Sequence, residues 1–169
     1  MGLLVLGAAR LLLGPAFVDR DFNRAHAEQF LGKHRGELDH LVQLVENCQP
    51  TDNLEASPDK YAQPVRCSNG PQSGVQDIRD ALNKLHLVAA FSTPSDTPKD
   101  APTADDDPTV SIVTAQVGIM VSGHVTQLNY HQKAREPAEY IDAGPDGRVY
   151  SEERALTPPP HHWFWEQTN

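Results

Sequence analysis

Eight histidines are the most versatile chemical resource in this chain, because imidazole ligates metals and moves protons near neutral pH. Their spacing limits what they can do. His34 and His40 flank Glu37. A zinc helix of the H-E-x-x-H kind needs its histidines one turn apart, with the glutamate next to the first. Here they are six positions apart, a rotation of about 240° on a helix, which turns them away from a common ion. They read as solvated helix residues. His161 and His162 are adjacent, and His124 and His131 are seven apart, so within a strand each pair faces opposite sides. A metal-dependent hydrolase using His124, His131, His161 or His162 would therefore have to gather ligands from different segments.

Other catalytic patterns are missing. The chain contains no G-x-S-x-G, no Walker A loop and no G-x-G-x-x-G. Ser122-Gly123 before His124 is accounted for by a hairpin turn. Asp105, Asp106 and Asp107 lack the alternating ligands and distal glutamate of a calcium loop, and Asp142 to Gly147 reads as turn residues. No catalytic, cofactor-binding or metal-ligating residue is assigned, no cofactor is expected, and an enzyme is the less favoured reading.

Two features bear on function in other ways. Cys48 and Cys67 lie 19 residues apart around a Pro-rich, helix-poor segment. In an exported protein they would pair, closing a loop worth about 3 kcal/mol in the chain-entropy model. In a cytosolic protein they would be two free thiols. Trp163 and Trp165 share one face of a C-terminal strand. Core packing is the plainer reading of this pair; the sharper one is a partner surface, because tryptophan is enriched at binding hot spots.

The elements that must position these residues follow from periodicity. Leu31, Leu38, Leu41, Leu44 and Val45 recur at helical spacing over residues 21–47, and Gly32 and Gly36 predict a break between them. Residues 48–72 read as a loop. Ser73 with Gln76 forms a capping-box pattern ahead of Val75, Ile78, Leu82 and Leu85, predicting a second helix that ends near Leu85. Strands are expected over residues 86–91, 109–120, 124–131 and 162–167, with a short one at 148–150. Ser122-Gly123 would turn a hairpin. In its second strand Val125, Gln127 and Asn129 would face one side, and Thr126, Leu128 and Tyr130 the other. Residues 92–108, with four prolines and five aspartates, read as a flexible loop.

A length of 169 residues suits one domain, read here as residues 19–169 behind an apolar leader or anchor at 1–18. The leader is interrupted by Arg10, and no basic residue precedes it. Net charge is −9, and Lys33 with Arg35, or Lys133 with Arg135, make pairs rather than a stripe. Such a chain repels phosphate backbones, which excludes nucleic-acid binding as its main role.

The segments HLVQLVENC (His40 to Cys48), VGIMVSGHVTQLNY (Val117 to Tyr130) and HHWFWEQ (His161 to Gln167) behind an apolar leader resemble a loose class of short, uncharacterised proteobacterial proteins. That class has an N-terminal membrane anchor and a small α+β body. The resemblance carries over no functional residue. The resulting expectation is an α+β fold, with two helices on one face of an antiparallel sheet of three to five strands and long Pro/Asp-rich loops. Its core would draw on Leu38, Leu41, Val45, Val75, Ile78, Leu82, Leu85, Val88, Ile112, Ile119, Val121 and Trp163. The expected function is a non-catalytic protein of the cell envelope, membrane-anchored or periplasmic, that binds another protein and touches the membrane through residues 1–18. The alternatives are an acidic immunity-type protein masking a basic partner, the metal-dependent hydrolase above, and a cytoplasmic location.

Overall fold

The computed structural model describes residues 22–58, 64–92, 109–117 and 124–168. Helix α1 spans Arg24–Cys48. Asn23 caps it, its side chain accepting from the His26 backbone N–H. The break expected between Gly32 and Gly36 is a kink, with His34 at φ −116°, ψ 20°. Helix α2 spans Gly74–Leu85. Its capping box does not form: Ser73 makes no side-chain cap bond, and Gln76 reaches forward to Asp80 instead. Gly74 packs closely on the disulfide, since a Cβ there would lie 3.2 Å from the Cys67 sulfur, which would have to give by a few tenths of an ångström.

The main correction concerns the sheet. In place of three to five strands there are seven, all antiparallel, in the order β1-β2-β3-β4-β7-β6-β5. They are β1 (Leu54–Glu55), β2 (Ala89–Ser92), β3 (Val110–Val117), β4 (His124–Tyr130), β5 (Glu139–Ala143), β6 (Val149–Ala155) and β7 (Trp163–Thr168). Two of these lay in expected loops. β1 is too short to show a period, and β5, EYIDA, is polar and wholly exposed. The strand foreseen at 148–150 runs on through Ser151-Glu152-Glu153-Arg154-Ala155. Residues 93–108, the Ser122-Gly123 turn, Ile119, Val121 and the leader at 1–18 lie outside the described residues; Ser92, placed in the loop by sequence, closes β2.

One face of the sheet is apolar and lies under the helices. Leu54, Ala90, Ile112, Leu128 and Trp165 stand in register across five strands, beside Val110, Tyr130 and Trp163. Leu38, Leu41, Val45, Ile78 and Leu82 cover them, each fully buried. Of the expected core, Val88 is only half-buried; its neighbour Leu87 is the one turned inward. Thr114 is the extra residue of a bulge in β3, and its hydroxyl donates to the Thr126 carbonyl.

Candidate functional site

The aromatic end of the chain is core. Trp163 and Trp165 are 0% and 5% exposed, and each indole N–H is satisfied on the α1 side, Trp163 by Asp39 at 3.3 Å and Trp165 by the Phe22 carbonyl at 3.1 Å. The partner-surface reading of this pair is thereby corrected, because exposing either ring would mean lifting α1 from the sheet. Cys48 and Cys67 are bonded to each other. The bond staples the segment that leads to β1, where Pro50 also bridges to Cys67. A structural disulfide fits an oxidising compartment. Among the described residues no helix is long and apolar enough to cross a membrane.

The sheet face turned away from the helices holds a buried polar network. Asn129 is at its centre, 1% exposed. Its Nδ2 donates to Glu153 Oε1 at 2.9 Å and to Glu166 Oε2 at 2.7 Å, while its Oδ1 accepts from Ser111 Oγ at 2.9 Å. Gln127 also donates to Glu166, at 2.6 Å. Glu153 and Glu166 are directly opposed across β6 and β7. Opposed like charges destabilise a sheet unless something neutralises them. The amides do part of this, and Arg135 completes it by pairing with the second oxygen of Glu153. His131 Nε2 lies 3.4 Å from Glu153 Oε1, and its ring meets the buried Phe164 edge-on. Burial alone would push the Glu153 carboxyl up. The hydrogen bonds from His131 and Asn129 and the charge of Arg135 outweigh it, holding the group below the ordinary glutamate value of 4.5.

The bonds of this network tie separate segments together as a clamp. Ser111 Oγ is bonded to an amide oxygen and not to an imidazole, so no base activates it. Glu153 already accepts from three side chains. What the clamp holds is the segment from His131 to β5: Arg135 is tied by its side chain to Glu153 and by its backbone N–H to the His161 carbonyl. Among the described residues no three His, Cys, Asp or Glu side chains converge on a metal position. His131 and His161 both lie against Phe164, whereas His162 stacks on Tyr130. His34 bonds to Glu37, which also receives Lys84 from α2 at 3.1 Å; this is a helix-to-helix link.

No family model matches this chain, and no curated protein or solved structure matches it either. The reading therefore rests on what the surface presents.

The clamp leads directly into the feature that sequence reasoning missed. Strand β5 is the terminal strand of the sheet, paired only with β6 among the described residues. All five of its residues are exposed, including Tyr140 at 51% and Ile141 at 46%, and Tyr150 on β6 is 44% exposed. These are the large apolar side chains most open to solvent among the described residues. Ladder geometry shows which backbone groups of β5 are free. The Ala155 N–H donates to the Ala138 carbonyl, which makes Ala138 and Ala155 a hydrogen-bonded pair. Bonded pairs alternate along an antiparallel ladder. Tyr140 opposite Glu153 is then the next bonded pair, and the N–H and C=O groups of Glu139 and Ile141 point out from the edge. At the head of this edge a groove of about 370 Å³ separates β5 and β6 from the first turn of α1, lined by Arg24, Glu28, Glu139, Arg154, Leu156 and Thr157 among others. The sequence signal for β5 was weak: Tyr140 and Ile141 are good strand formers, but E-Y-I-D-A does not alternate, and the surrounding Pro137, Gly144, Pro145 and Gly147 read as punctuation of an irregular stretch.

Proposed function

We propose that this chain is a non-catalytic binding protein of the cell envelope, which takes up an extended segment of another protein as an eighth strand alongside β5. One observation carries the reading: a terminal strand with an outward row of backbone donors and acceptors and no residue buried. Natural sheets commonly blunt such an edge, because it is a template for pairing with another chain. Strand addition uses it, with main-chain bonds supplying affinity and the flanking side chains supplying selectivity. The clamp on Arg135 supports the same reading by fixing the approach to β5, so the edge is preorganised at little further cost in entropy. The disulfide supports the envelope, since such bonds persist outside the reducing cytosol.

Site-specific photo-crosslinking in the native host tests this. A crosslinker at position 141 is expected to capture one partner protein, and the same group at the exposed Lys84 on α2 is expected to capture none. Equal capture from both positions, or none from 141, would remove the reading.

A further inference from the structure

Strand addition at β5, once accepted, leaves open what kind of strand is added. We infer that the incoming segment is basic, with an apolar residue opposite Ile141 and Lys or Arg opposite Glu139 and Asp142. The inference rests on the strand-addition reading and adds the chemistry of the partner.

Glu136, Glu139, Asp142 and Asp146 are all exposed on or beside β5. The nearby cations are mostly committed: Arg154 binds Glu139 and Glu152 at 2.8 Å each, and Arg135 binds Glu153 and lies over the Tyr140 ring. At the far end of the hairpin the exposed Arg148 is accompanied by the exposed Asp142 and Asp146, while at the head Glu139 is already paired with Arg154 and Glu136 lies 3.5 Å from His161 Nε2. The whole chain adds a net charge of −9. Charges opposed across a new ladder lie close enough to discriminate, and the field of the whole molecule steers a partner of opposite sign. A second copy would set one acidic rim against another, with the full charge of both chains opposing the approach.

Register supplies the rest. An antiparallel strand bonded to the outward groups of Ile141 and Glu139 meets, from its own N-terminus, Asp142, Ile141, Tyr140 and Glu139 in turn. Ile141 shares its face with Glu139 and Arg154, and Tyr140 shares the other face with Glu153. The complementary order is Lys/Arg, then an apolar residue, then an aromatic one against Tyr140, then Lys/Arg.

Fluorescence anisotropy of the full chain with two labelled peptides, TKVYKT and TEVYET, tests this at low and high salt. The basic peptide is expected to bind about tenfold or more tightly than the acidic one at low salt, with the gap narrowing as salt rises. Ile141→Pro should abolish binding. Because the Ile141 N–H points outward, proline there removes no existing ladder bond, and the variant is expected to stay folded. Asp142→Lys, an exposed change, should narrow or reverse the preference while binding persists. If the acidic peptide binds equally and remains sensitive to Ile141→Pro, the edge reading stands and the basic partner is wrong. If neither peptide binds in an Ile141-dependent way, both are overturned. A dimer seen by sedimentation and lost in Ile141→Pro would replace the foreign strand with a second copy.

Discussion

The two ends of the sheet solve the same problem in opposite ways. At one end β1 is two residues long, with Leu54 fully buried. The carbonyls at its end are covered by α2: Arg79 Nε donates to the Glu55 carbonyl at 3.4 Å, and Asn83 Nδ2 donates to the carbonyl of Ala56, the next residue, at 3.2 Å. The disulfide holds the segment in place. At the other end β5 is longer and fully exposed, and among the described residues nothing but β6 pairs with it. One edge is covered by side chains and a crosslink; the other carries exposed charges and a register shift at Asp142/Ala143 but has no such cover among the described residues. The contrast is the strongest argument that β5 is a working surface.

The same truncation at the two ends should expose the difference most sharply. Leu54→Ala is expected to cost about 3 kcal/mol, because it leaves a cavity in packed core. Ile141→Ala should cost less than about 0.5 kcal/mol, as exposed positions do. Urea denaturation of both variants decides, and a large loss at Ile141 would mean that β5 is part of the structural core. Replacing both cysteines by Ser should cost about 3 kcal/mol by releasing the closed loop. Native-state hydrogen exchange should show the loss concentrated around β1 and β2, with β5 and β6 unchanged.

Acid should act at the β5 end. Glu153 has its folded pKa lowered, so its contribution to stability is complete above the unfolded value near 4.5 and is lost as pH falls below it. The urea midpoint should therefore drop as pH falls below the unfolded value near 4.5, with exchange rising first in residues 131–138. Glu153→Gln should flatten that slope, and an unchanged slope would break the link between the network and the clamp. A smaller and more local effect is expected at the covered edge. Asn83→Ala should cost about 0.5–1 kcal/mol and raise exchange locally near Ala56, whereas no comparable cap exists to remove from β5 among the described residues.

How much of this could be read in advance depended on whether burial and apolarity coincided. Where they did, as in the Leu and Val spacing of α1, the Ile78, Leu82, Leu85 stripe of α2, and the β-branched run of β3, the elements were legible. The kink near His34 was legible too, because paired glycines weaken a helix in a position-specific way. In the outer half of the sheet β7 was legible from its aromatic run, whereas β5 and most of β6 were not. β6 and β7 place Glu153 and Glu166 on a face where an alternating pattern would show apolar residues, and only the tertiary network of Asn129, Gln127 and Arg135 makes those positions tenable. That network joins residues 18 to 39 positions apart, and no local window contains it. The disulfide was readable as a pairing of two cysteines, but its role in fixing β1 was not, because β1 itself had no period to reveal it. Trp163 and Trp165 carried both readings until the indole bonds to α1 chose between them.

The strand order also constrains how the molecule can be made. Among the described strands β7 comes after all the others in sequence, yet it lies between β4 and β6, bonded to both. While a ribosome is still producing the chain, the part bearing both helices and the hairpin of β5 and β6 have no shared ladder to join them. The insertion of one six-residue segment closes the sheet. Until then Leu128 and its neighbours lack the indole that covers them, and the nascent chain offers an apolar strand edge to any holding factor that travels with it.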